Sequence, residues 1–297
     1  MEKSMQLFSQ RIKEIRQKLC FSQADVSEQT GISLGTLRGL ENGKVMPRLD
    51  TLKFLSNLYK HNLIEVYATC LVGNYQALLT TYNRAEAKIA YQNYAELGDE
   101  ITELIALREH TSSEFFATQI TQRMALLSAI ILTERDNDRR GALRVLTNAL
   151  KQTTPTFSTR TYEQFYYSDL EKRLLMTIGL LSRFTEHKPA TLKLFQFVHQ
   201  TSSASILHIK ACYHLALYYI ESKQFQLARD CINEGKEHAQ EQNQMYSLGY
   251  FGLAEAKLAY QHNEPDWQKQ AEQINLIRNY FNLPFVAIET DALPLFY

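Results

Sequence analysis

Apolar residues recur along nearly the whole chain at the three- and four-residue spacing of an amphipathic helix. Stretches of roughly 10 to 20 residues with this spacing follow one another, and short polar breaks separate them. Strand-like alternation of apolar and polar residues is nearly absent, and only 11 glycines and 6 prolines interrupt the 297 residues. The pattern predicts an all-α chain whose polar breaks mark the ends of its helices.

Four short helices are predicted in the first 65 residues. The first would bury one face, because Phe8, Ile12, Ile15 and Leu19 lie at helical spacing. The fourth opens at Asp50 and is followed almost directly by the helices of a longer body, with no Pro/Gly/Ser linker between them. We therefore expect two domains, an N-terminal one over residues 1–65 and a helical body over residues 66–297.

The second and third of these helices are joined by a glycine turn. Ser22 occupies the N-cap position of a helix predicted over residues 23–29, with Asp25 placed to complete a capping box. Gly31 suits the left-handed conformation that ends a helix, and Ser33 caps the helix that follows and ends at residues 41–43. A short helix, a glycine turn and a capped helix are the components of a DNA-reading helix pair, in which the second helix enters the major groove.

The residues of this helix pair and their spacing closely resemble the lambda-repressor/Cro-like (XRE) family. The resemblance spans residues 6–65 and implies a helix-turn-helix DNA-binding domain in a transcription regulator. It also implies an ion pair between Arg16 and Glu41 that ties the first helix to the end of the third. The matching positions are 23–26, 31–33, 36–37, 40–44, 47 and 49–52.

The resemblance and the chemistry of the DNA grooves together predict seven DNA-contacting residues. Arg38 has the fork geometry to bind a guanine through two hydrogen bonds, and Leu34 suits packing on a thymine methyl group. Asn42 and Lys44 would bind the phosphate backbone. The family places the residue at position 23 where it reaches a phosphate or supports a base contact. The seven candidates are Gln23, Ser33, Leu34, Thr36, Arg38, Asn42 and Lys44.

Two glycines depart from an ordinary recognition helix. Gly35 and Gly39 lie inside it, where each should cost up to about 1 kcal/mol relative to alanine. Neither offers DNA a side chain, so we expect a sparse direct readout and specificity that leans on dimer spacing and DNA shape. A helical bundle that binds another protein is the alternative for residues 1–65.

The body contains a weak repeat of small and aromatic positions at successive offsets of 3, 9, 4 and 3 residues. These are the spacings of the roughly 34-residue tetratricopeptide (TPR) unit, in which small residues let two antiparallel helices close tightly. They predict a TPR-like helical-repeat domain, with an unrelated helical bundle as the alternative. The three copies are Ile130, Thr133, Ala142, Leu146 and Ala149; Gly179, Ser182, Thr191, Phe195 and Val198; and Ala216, Tyr219, Ala228, Ile232 and Gly235. A looser copy surrounds Ala256, Tyr260 and Ala271.

A solenoid of this kind has a concave groove lined by the first helix of each pair. Apolar residues mixed with Arg and Lys on that face suit a short peptide, with cations for its carboxylate. The alternative is that these residues pack together or form a dimer seam. The candidate peptide-binding residues are Arg173, Met176, Arg183, Lys210, Tyr213, Leu217, Tyr250 and Lys257.

A helix-turn-helix head followed directly by such a body resembles the Rgg/PlcR/PrgX group of peptide-pheromone regulators of Gram-positive bacteria. The resemblance implies a homodimeric regulator of quorum sensing that binds double-stranded DNA and a short signalling peptide. One alternative is a repressor of the same build whose body only dimerises or binds a protein. A helical enzyme or phosphatase-like adaptor is a second, but the sequence offers no clustered acid and base residues for it.

Charge is unevenly distributed along a chain whose formal net charge is zero. Residues 1–60 hold ten Lys and Arg against six Asp and Glu, and the remainder holds 22 against 26. A basic head on an acidic body is what a DNA contact confined to the head would need.

Other chemistry is not indicated by the motifs. Glycine-rich phosphate loops, HExxH, GxSxG and CxxC patterns are all missing from the sequence, so we expect no enzyme and no cofactor. The four cysteines (Cys20, Cys70, Cys212 and Cys231) have no histidine at an evident metal-ligand spacing, and His208 and His214 are six residues apart. We therefore expect free thiols and no metal.

Neither a membrane span nor a signal peptide is apparent from the hydropathy of the sequence. No apolar run approaches the ~18 residues of a transmembrane helix, and the N-terminus lacks a signal-peptide h-region. These features predict a cytoplasmic protein without a membrane partner. The largely apolar residues 285–297 are expected to pack as a cap or to cross to a partner subunit.

Overall fold

The computed structural model describes residues 2–72, 75–111, 113–183, 188–202, 205–289 and 293–297. Across these residues it contains fifteen α-helices, two single-turn 3-10 helices and no strand. The all-α fold that the apolar spacing predicts is therefore confirmed.

The helices follow the predicted order. The first eight are α1 (Glu2–Lys18), α2 (Gln23–Thr30), α3 (Leu34–Glu41), α4 (Leu49–Tyr59), α5 (Leu63–Val72), α6 (Tyr75–Ala90), α7 (Leu97–His110) and α8 (Glu114–Glu134). The remaining seven are α9 (Arg139–Lys151), α10 (Asp169–Ser182), α11 (Lys188–Thr201), α12 (Ile206–Glu221), α13 (Phe225–Glu241), α14 (Met245–Gln261) and α15 (Trp267–Tyr280). The 3-10 turns are Tyr94–Glu96 and Tyr162–Gln164.

The chain divides into two compact units. Unit 1 comprises residues 1–84 and 102–121, and unit 2 comprises residues 85–101 and 122–297. Helices α6, α7 and α8 each contribute residues to both units. The domain boundary at residue 65 that the sequence suggests stays a prediction.

The core of unit 1 is built on the predicted face of α1. Phe8 and Ile12 are buried, and they pack in one cluster with side chains from the following four helices. The ring of Phe8 also meets Tyr67 of α5 edge to face, with 5.0 Å between centroids. The other buried members of the cluster are Ile15, Val26, Leu37, Leu40, Leu52, Leu55, Tyr59 and Leu63.

In unit 2 each helix from α9 to α15 packs on the next one along the chain. Glycine permits the closest approach, because a Cβ atom at Gly235 of α13 would lie 2.1 Å from Cζ of Phe251. Gly179 is another position that the repeat predicts to be small. A Cβ atom there would lie 3.1 Å from Cε1 of Phe195. These contacts are of the kind that the offsets anticipate, and the TPR assignment itself stays a prediction.

Among the described residues, only α8 has the length and apolar composition that a membrane span requires. A core helix of a globular domain meets the same two criteria, and Ile120, Leu126, Leu127 and Ile130 of α8 are buried. This single helix is weak support for a membrane span.

Candidate functional site

Short-range hydrogen bonds shape the helix pair in unit 1. The hydroxyl of Ser22 accepts from the backbone N–H of Asp25 at 3.1 Å, and the Asp25 carboxylate accepts from the N–H of Ser22 at 2.7 Å. Gly31 ends α2 with φ of +71°, in the left-handed region. Ser33 then caps α3 by accepting from the N–H of Thr36 at 3.1 Å. The capping box, the glycine turn and the second cap are all present as predicted.

A buried ion pair ties α1 to the end of α3. Nε of Arg16 donates to Oε1 of Glu41 at 2.6 Å, and Nη2 donates to Oε2 at 2.8 Å. The third nitrogen, Nη1, donates to the carbonyl of Phe21 at 2.7 Å. Burial alone would raise the pKa of Glu41, but the hydrogen bonds from Arg16 and Gln23 more than offset it, so the pKa is lowered. The pairing that the family resemblance implies is therefore formed, with both groups charged.

Gln23 takes part in the same hydrogen-bond network. The sequence did not indicate this contact. Its side-chain Nε2 donates to Oε2 of Glu41 at 2.8 Å, and the residue is half-buried. The amide is thus held at the start of α2 by the carboxylate at the end of α3.

The remaining candidates lie on α3 or at its ends. Leu34, Arg38 and Asn42 follow one another at four-residue intervals and are all exposed, so they line one stripe of the surface. Ser33 and Lys44 are exposed at the two ends of the helix, whereas Thr36 is half-buried. The hydroxyl of Thr36 lies 2.9 Å from that of Ser33.

The two glycines of α3 have different surroundings. A Cβ atom at Gly39 would lie 2.6 Å from Cγ2 of Val45, so the absence of a side chain lets the loop after α3 pack on the helix. A Cβ atom at Gly35 would meet only the hydroxyl of Ser33, at 3.8 Å, and Gly35 is exposed on the helix. Packing therefore accounts for Gly39 and leaves Gly35 without a structural reason.

In unit 2 four of the eight candidate groove residues contact a segment of the chain itself, residues 293–297. This segment forms neither helix nor strand. The hydroxyl of Tyr213 donates to the carbonyl of Pro294 at 2.9 Å. Nε2 of His214 lies 3.1 Å from the carbonyl oxygen of Phe296 and 3.3 Å from its backbone nitrogen. Much of the recognition is therefore directed at the main chain of the segment.

Two buried basic side chains contact the last residue of the segment. Nη2 of Arg173 donates to the main-chain oxygen of Tyr297 at 3.2 Å, and Nζ of Lys210 donates to the same oxygen. Arg173 also pairs with Glu86, which accepts from Arg123 at 2.9 Å. These groups form a polar pocket around one main-chain oxygen.

Aromatic contacts complete the site. The ring of Phe296 stacks on Tyr250 with 4.2 Å between centroids and 4° between planes. Nζ of Lys210 lies 5.1 Å from the centroid of the Phe296 ring. The hydroxyl of Tyr297 donates to Glu134, and its ring meets Tyr94 edge to face. Phe296 and Tyr297 are consequently buried.

Burial sets the ionisation of the groups around the segment. It lowers the pKa of Lys210 well below its ordinary value, and the nearby Arg173 lowers it further. It also lowers the pKa of His214 to about 3, so this imidazole is neutral at physiological pH. Burial would raise the pKa of Glu86, but Arg173 and Lys210 lower it to about 2.

Five of the eight candidate peptide-binding residues contact the C-terminal part of the chain. Arg173, Lys210, Tyr213 and Tyr250 hold residues 293–297, and Lys257 donates to the carbonyl of Ile288 at 2.8 Å. The other three have different roles. Met176 and Leu217 are buried in the core, and Arg183 pairs with Glu221.

Sequence reasoning missed His214 and Glu86, and it did not place residues 293–297 at the groove. The apolar composition of residues 285–297 was the available signal, and it suggested a cap or a crossing to another subunit. The described residues 293–297 of that segment contact α12 of unit 2, and the cap or crossing stays a prediction.

Comparisons with known proteins agree with this architecture. The helix-turn-helix family model matches residues 12–63. The solved structure of Bacillus thuringiensis PlcR in complex with the peptide PapR7 and DNA is similar with a TM-score of 0.73 at 13 % identity, covering 93 % of this chain and 96 % of that one. A cysteine-to-serine variant of the Streptococcus dysgalactiae SHP pheromone receptor Rgg2 gives a TM-score of 0.53 at 13 % identity, covering 93 % and 94 %. ComR from S. thermophilus in complex with DNA and its signalling peptide ComS gives 0.50 at 12 % identity, covering 93 % and 94 %.

No curated protein matches this sequence. At identities of 12–13 % the structural likeness shows a shared fold, and the match to residues 12–63 shows a helix-turn-helix domain. The resemblance in fold that the sequence suggests is confirmed.

Proposed function

We propose that this chain, whose residues 12–63 form a helix-turn-helix domain, is a cytoplasmic, homodimeric transcription regulator controlled by a short signalling peptide. The main support for peptide control is that unit 2 already binds a short non-helical segment, residues 293–297, through its main chain. The solved complexes of PlcR and ComR with peptide and DNA support the same function by analogy of fold. No catalytic step is part of the proposal.

On DNA, α3 would enter the major groove with the stripe of Leu34, Arg38 and Asn42 toward the bases and the adjacent phosphates. Arg38 would bind a guanine through two hydrogen bonds, and Lys44 would pair with a phosphate. The network of Arg16, Glu41 and Gln23 holds the two helices of the pair in a fixed relation. A homodimer would present two such helices to half-sites about 34 Å, or a multiple of it, apart.

The DNA-binding part has a direct test. The double variant Arg38→Ala with Lys44→Ala is expected to abolish specific operator binding, because it removes a base contact worth about 1–3 kcal/mol together with a phosphate contact. Operator fragments selected from random DNA by the intact protein would serve as the probe in a gel-shift titration. Arg144→Ala with Lys151→Ala, two exposed cations of α9, is the matched control. Unchanged affinity in the Arg38 and Lys44 variant would refute the proposed interface.

An incoming peptide would use the partners that now hold residues 293–297. Its main-chain oxygens would replace those of Pro294, Phe296 and Tyr297 at Tyr213, His214 and the Arg173–Lys210 pocket. The segment and the peptide therefore compete. The apparent affinity for the peptide is its intrinsic affinity multiplied by the fraction of molecules in which the groove is open. To switch DNA occupancy, the peptide must favour one arrangement of the two heads by about 5 kcal/mol.

Competition can be tested with a synthetic pentapeptide, Leu-Pro-Leu-Phe-Tyr, which has the sequence of residues 293–297. We expect it to bind a variant that lacks residues 293–297 and to bind the intact protein at least tenfold more weakly. In Phe296→Ala, which loses the stack on Tyr250, its affinity should lie between the two. Calorimetric titration would measure all three, with a scrambled pentapeptide as the control. Equal affinity for the truncated and intact proteins would contradict competition at this groove.

The same contacts support a second function, in which residues 293–297 are a permanent part of the core and the body only dimerises or binds a protein. Residues 293–297 already accept the hydrogen bonds of Arg173, Tyr213 and His214 without any ligand. The two functions differ in the response of the intact protein to peptides. The second function is favoured if added peptide changes neither the operator affinity nor the melting temperature of the intact protein. The peptides to add are the pentapeptide and those from the growth medium of the host.

A further inference from the structure

Four side chains with metal-binding atoms converge in unit 2 where α11, α12 and α13 meet. They are His199 of α11, His208 and Cys212 of α12, and Glu234 of α13, and their ligand atoms all lie within 4.8 Å of one another. The proposed regulator function uses none of them. Two imidazoles, a thiol and a carboxylate are the donors that Zn²⁺ takes in proteins.

The contacts of His208 direct its Nε2 atom into this cluster. Its Nδ1 lies 3.1 Å from the carbonyl oxygen of His199, an acceptor, so Nδ1 carries the proton. Nε2, the other ring nitrogen, faces the cluster and lies 2.9 Å from Oε1 of Glu234. A ring nitrogen held by a carbonyl, with the other nitrogen free to bind, is the usual arrangement of a metal-binding histidine.

The second histidine points to the same place. Nε2 of His199 lies 3.1 Å from the same Oε1 of Glu234, and its ring stacks on that of His208 with 4.3 Å between centroids. The two imidazoles therefore direct their Nε2 atoms at one carboxylate oxygen. The cluster gathers electron-pair donors around a single point, which is the requirement for a cation site.

The backbone explains how the third and fourth ligands reach this point. His208 and Cys212 are four residues apart on α12, so both lie on one face of the helix. Gly235, next to Glu234, lets α13 pass close over that face, since a Cβ there would lie 2.9 Å from Cβ of Cys212. Ligands from three successive helices are thus brought to one place by packing that the core itself requires.

We propose that His199, His208, Cys212 and Glu234 bind one Zn²⁺ ion. Thiolate and imidazole ligands favour zinc over magnesium or calcium, and four protein ligands match the closed tetrahedral geometry of structural zinc sites. This proposal differs from the expectation of no metal drawn from the sequence, which did not weigh the four-residue spacing of His208 and Cys212.

The distances require only small adjustments on binding. Zinc bonds of about 2.0 Å to nitrogen or oxygen and about 2.3 Å to sulfur place tetrahedral ligand atoms about 3.3–3.6 Å apart. The two Nε2-to-Oε1 separations of 2.9 and 3.1 Å must therefore widen slightly, and the most distant pair, at up to 4.8 Å, must close. Glu234 and His199 have side chains 39 % and 24 % exposed, so the ion can reach the cluster from solvent.

Zinc at this position would clamp α11, α12 and α13 together. A ligand that binds only the folded state raises its stability, so the melting temperature should rise with zinc concentration. The clamp would act on the same α12 that carries Lys210, Tyr213 and His214. Metal would thereby stiffen one wall of the groove.

The test uses the intact protein, with any affinity tag removed and metal stripped by a chelator. We expect one equivalent of Zn²⁺ by elemental analysis after dialysis, and a rise in melting temperature on titration. Co²⁺ is the spectroscopic probe, because a four-coordinate cobalt–thiolate centre absorbs strongly in the near-ultraviolet and visible range. Cys212→Ser should remove the sulfur-to-cobalt band.

The ligand variants give the quantitative outcome. Glu234→Gln and His208→Gln should each weaken zinc binding by more than about a hundredfold, because even outer-shell partners of metal ligands are worth about 10- to 100-fold. Because Glu234 is partly exposed, we expect Glu234→Gln to fold, and circular dichroism would check this. The test therefore remains valid even if Cys212→Ser does not fold. Cys231→Ser, on the same helix as Glu234, is the control and should retain the metal. No stoichiometric zinc, or equal affinity in Glu234→Gln and the intact protein, would overturn the site and leave a hydrogen-bonded contact of His208 with Glu234.

Discussion

At the scale of single residues, the two glycines of α3 should respond in opposite directions to the same substitution. Gly35→Ala is expected to raise the free energy of unfolding of unit 1 by roughly 0.5–1 kcal/mol, because alanine is the better helix former and the site is open. Gly39→Ala should lower it, because the new Cβ would lie 2.6 Å from Cγ2 of Val45. Amide hydrogen exchange in α3 reports the stability of this helix locally. Equal shifts in both variants would contradict the assigned surroundings.

A second residue-scale effect concerns pH. Burial lowers the pKa of His214 to about 3, whereas an exposed histidine has a pKa of about 6.5. Between these values the unfolded chain binds more protons than the folded one, so the contribution of neutral His214 to stability is complete above about pH 6.5 and declines as the pH falls toward 3. The same imidazole contacts Phe296, so residues 293–297 should loosen as the contribution is lost.

This pH dependence is expected to disappear when the imidazole is replaced. His214→Gln retains an amide for Phe296 but does not titrate, so its melting temperature should change less between pH 7 and pH 4 than that of the intact protein. His110→Gln, at an exposed histidine of α7, is the matched control and should keep the full slope. An unchanged slope in His214→Gln would show that other groups dominate the acid response.

At the scale of helices, the Arg16–Glu41 pair is the joint between α1 and α3. Glu41→Gln removes one charge from a buried pair and leaves the other unbalanced, so unit 1 should lose about 3 kcal/mol of stability. Operator affinity should fall as well, because Glu41 also holds Gln23 at the start of α2. Glu28→Gln, at an exposed position of α2, is the control. Urea unfolding measures the stability, and equal stability of the two variants would contradict the joint.

The helix pair was predictable because its determinants are local. Ser22 caps through Asp25 and Ser33 caps through Thr36, so each cap is read within three residues of sequence. The Arg16–Glu41 contact spans 25 residues, and only the family resemblance indicated it. Gln23 shows the remaining limit, since its bond to Glu41 depends on how the two helices pack.

The groove could be predicted only in part, because its contacts join distant parts of the chain. Tyr213 and Pro294 are 81 residues apart, and Arg173 and Tyr297 are 124 residues apart. Helical periodicity shows which residues share a face but not which segment covers it. The sequence therefore predicted the basic and aromatic residues as a binding surface, and this stays a prediction. It did not predict that residues 293–297 contact them. Met176 and Leu217 were nominated from the same periodicity and turned out to be core residues.

The proposed zinc ligands could likewise be predicted only in part. His208 and Cys212 are visible in the sequence as a pair on one helical face, but the other two ligands come from neighbouring helices. The contacts of Glu234 with His199 and His208 span 35 and 26 residues. Close packing at Gly235 brings them together, and no spacing rule along the chain describes it.

At the scale of the whole molecule, control of DNA binding by the body requires two heads held at a fixed spacing. A helix-turn-helix dimer reads two half-sites related by its two-fold axis, so the subunit contact must be self-complementary. Helix α15 carries an apolar surface suited to this. The exposed apolar side chains of α15 are Leu276, Ile277 and Tyr280. Phe281, directly after the helix, and Phe285 are exposed as well.

Contiguous apolar side chains of this size, with Tyr280 83 % and Leu276 72 % exposed, are typical of surfaces that another protein covers. We therefore expect Leu276→Glu with Tyr280→Glu to convert a dimer into a monomer, because four charges would face one another across a two-fold contact. Sedimentation velocity measures the change, and affinity for a two-half-site operator should fall while binding to a single half-site persists. Asn279→Glu, an exposed position of α15 outside the apolar stripe, should remain dimeric. A double variant that stays dimeric would place the subunit contact on a different surface, and the spacing of the two heads would then be set elsewhere.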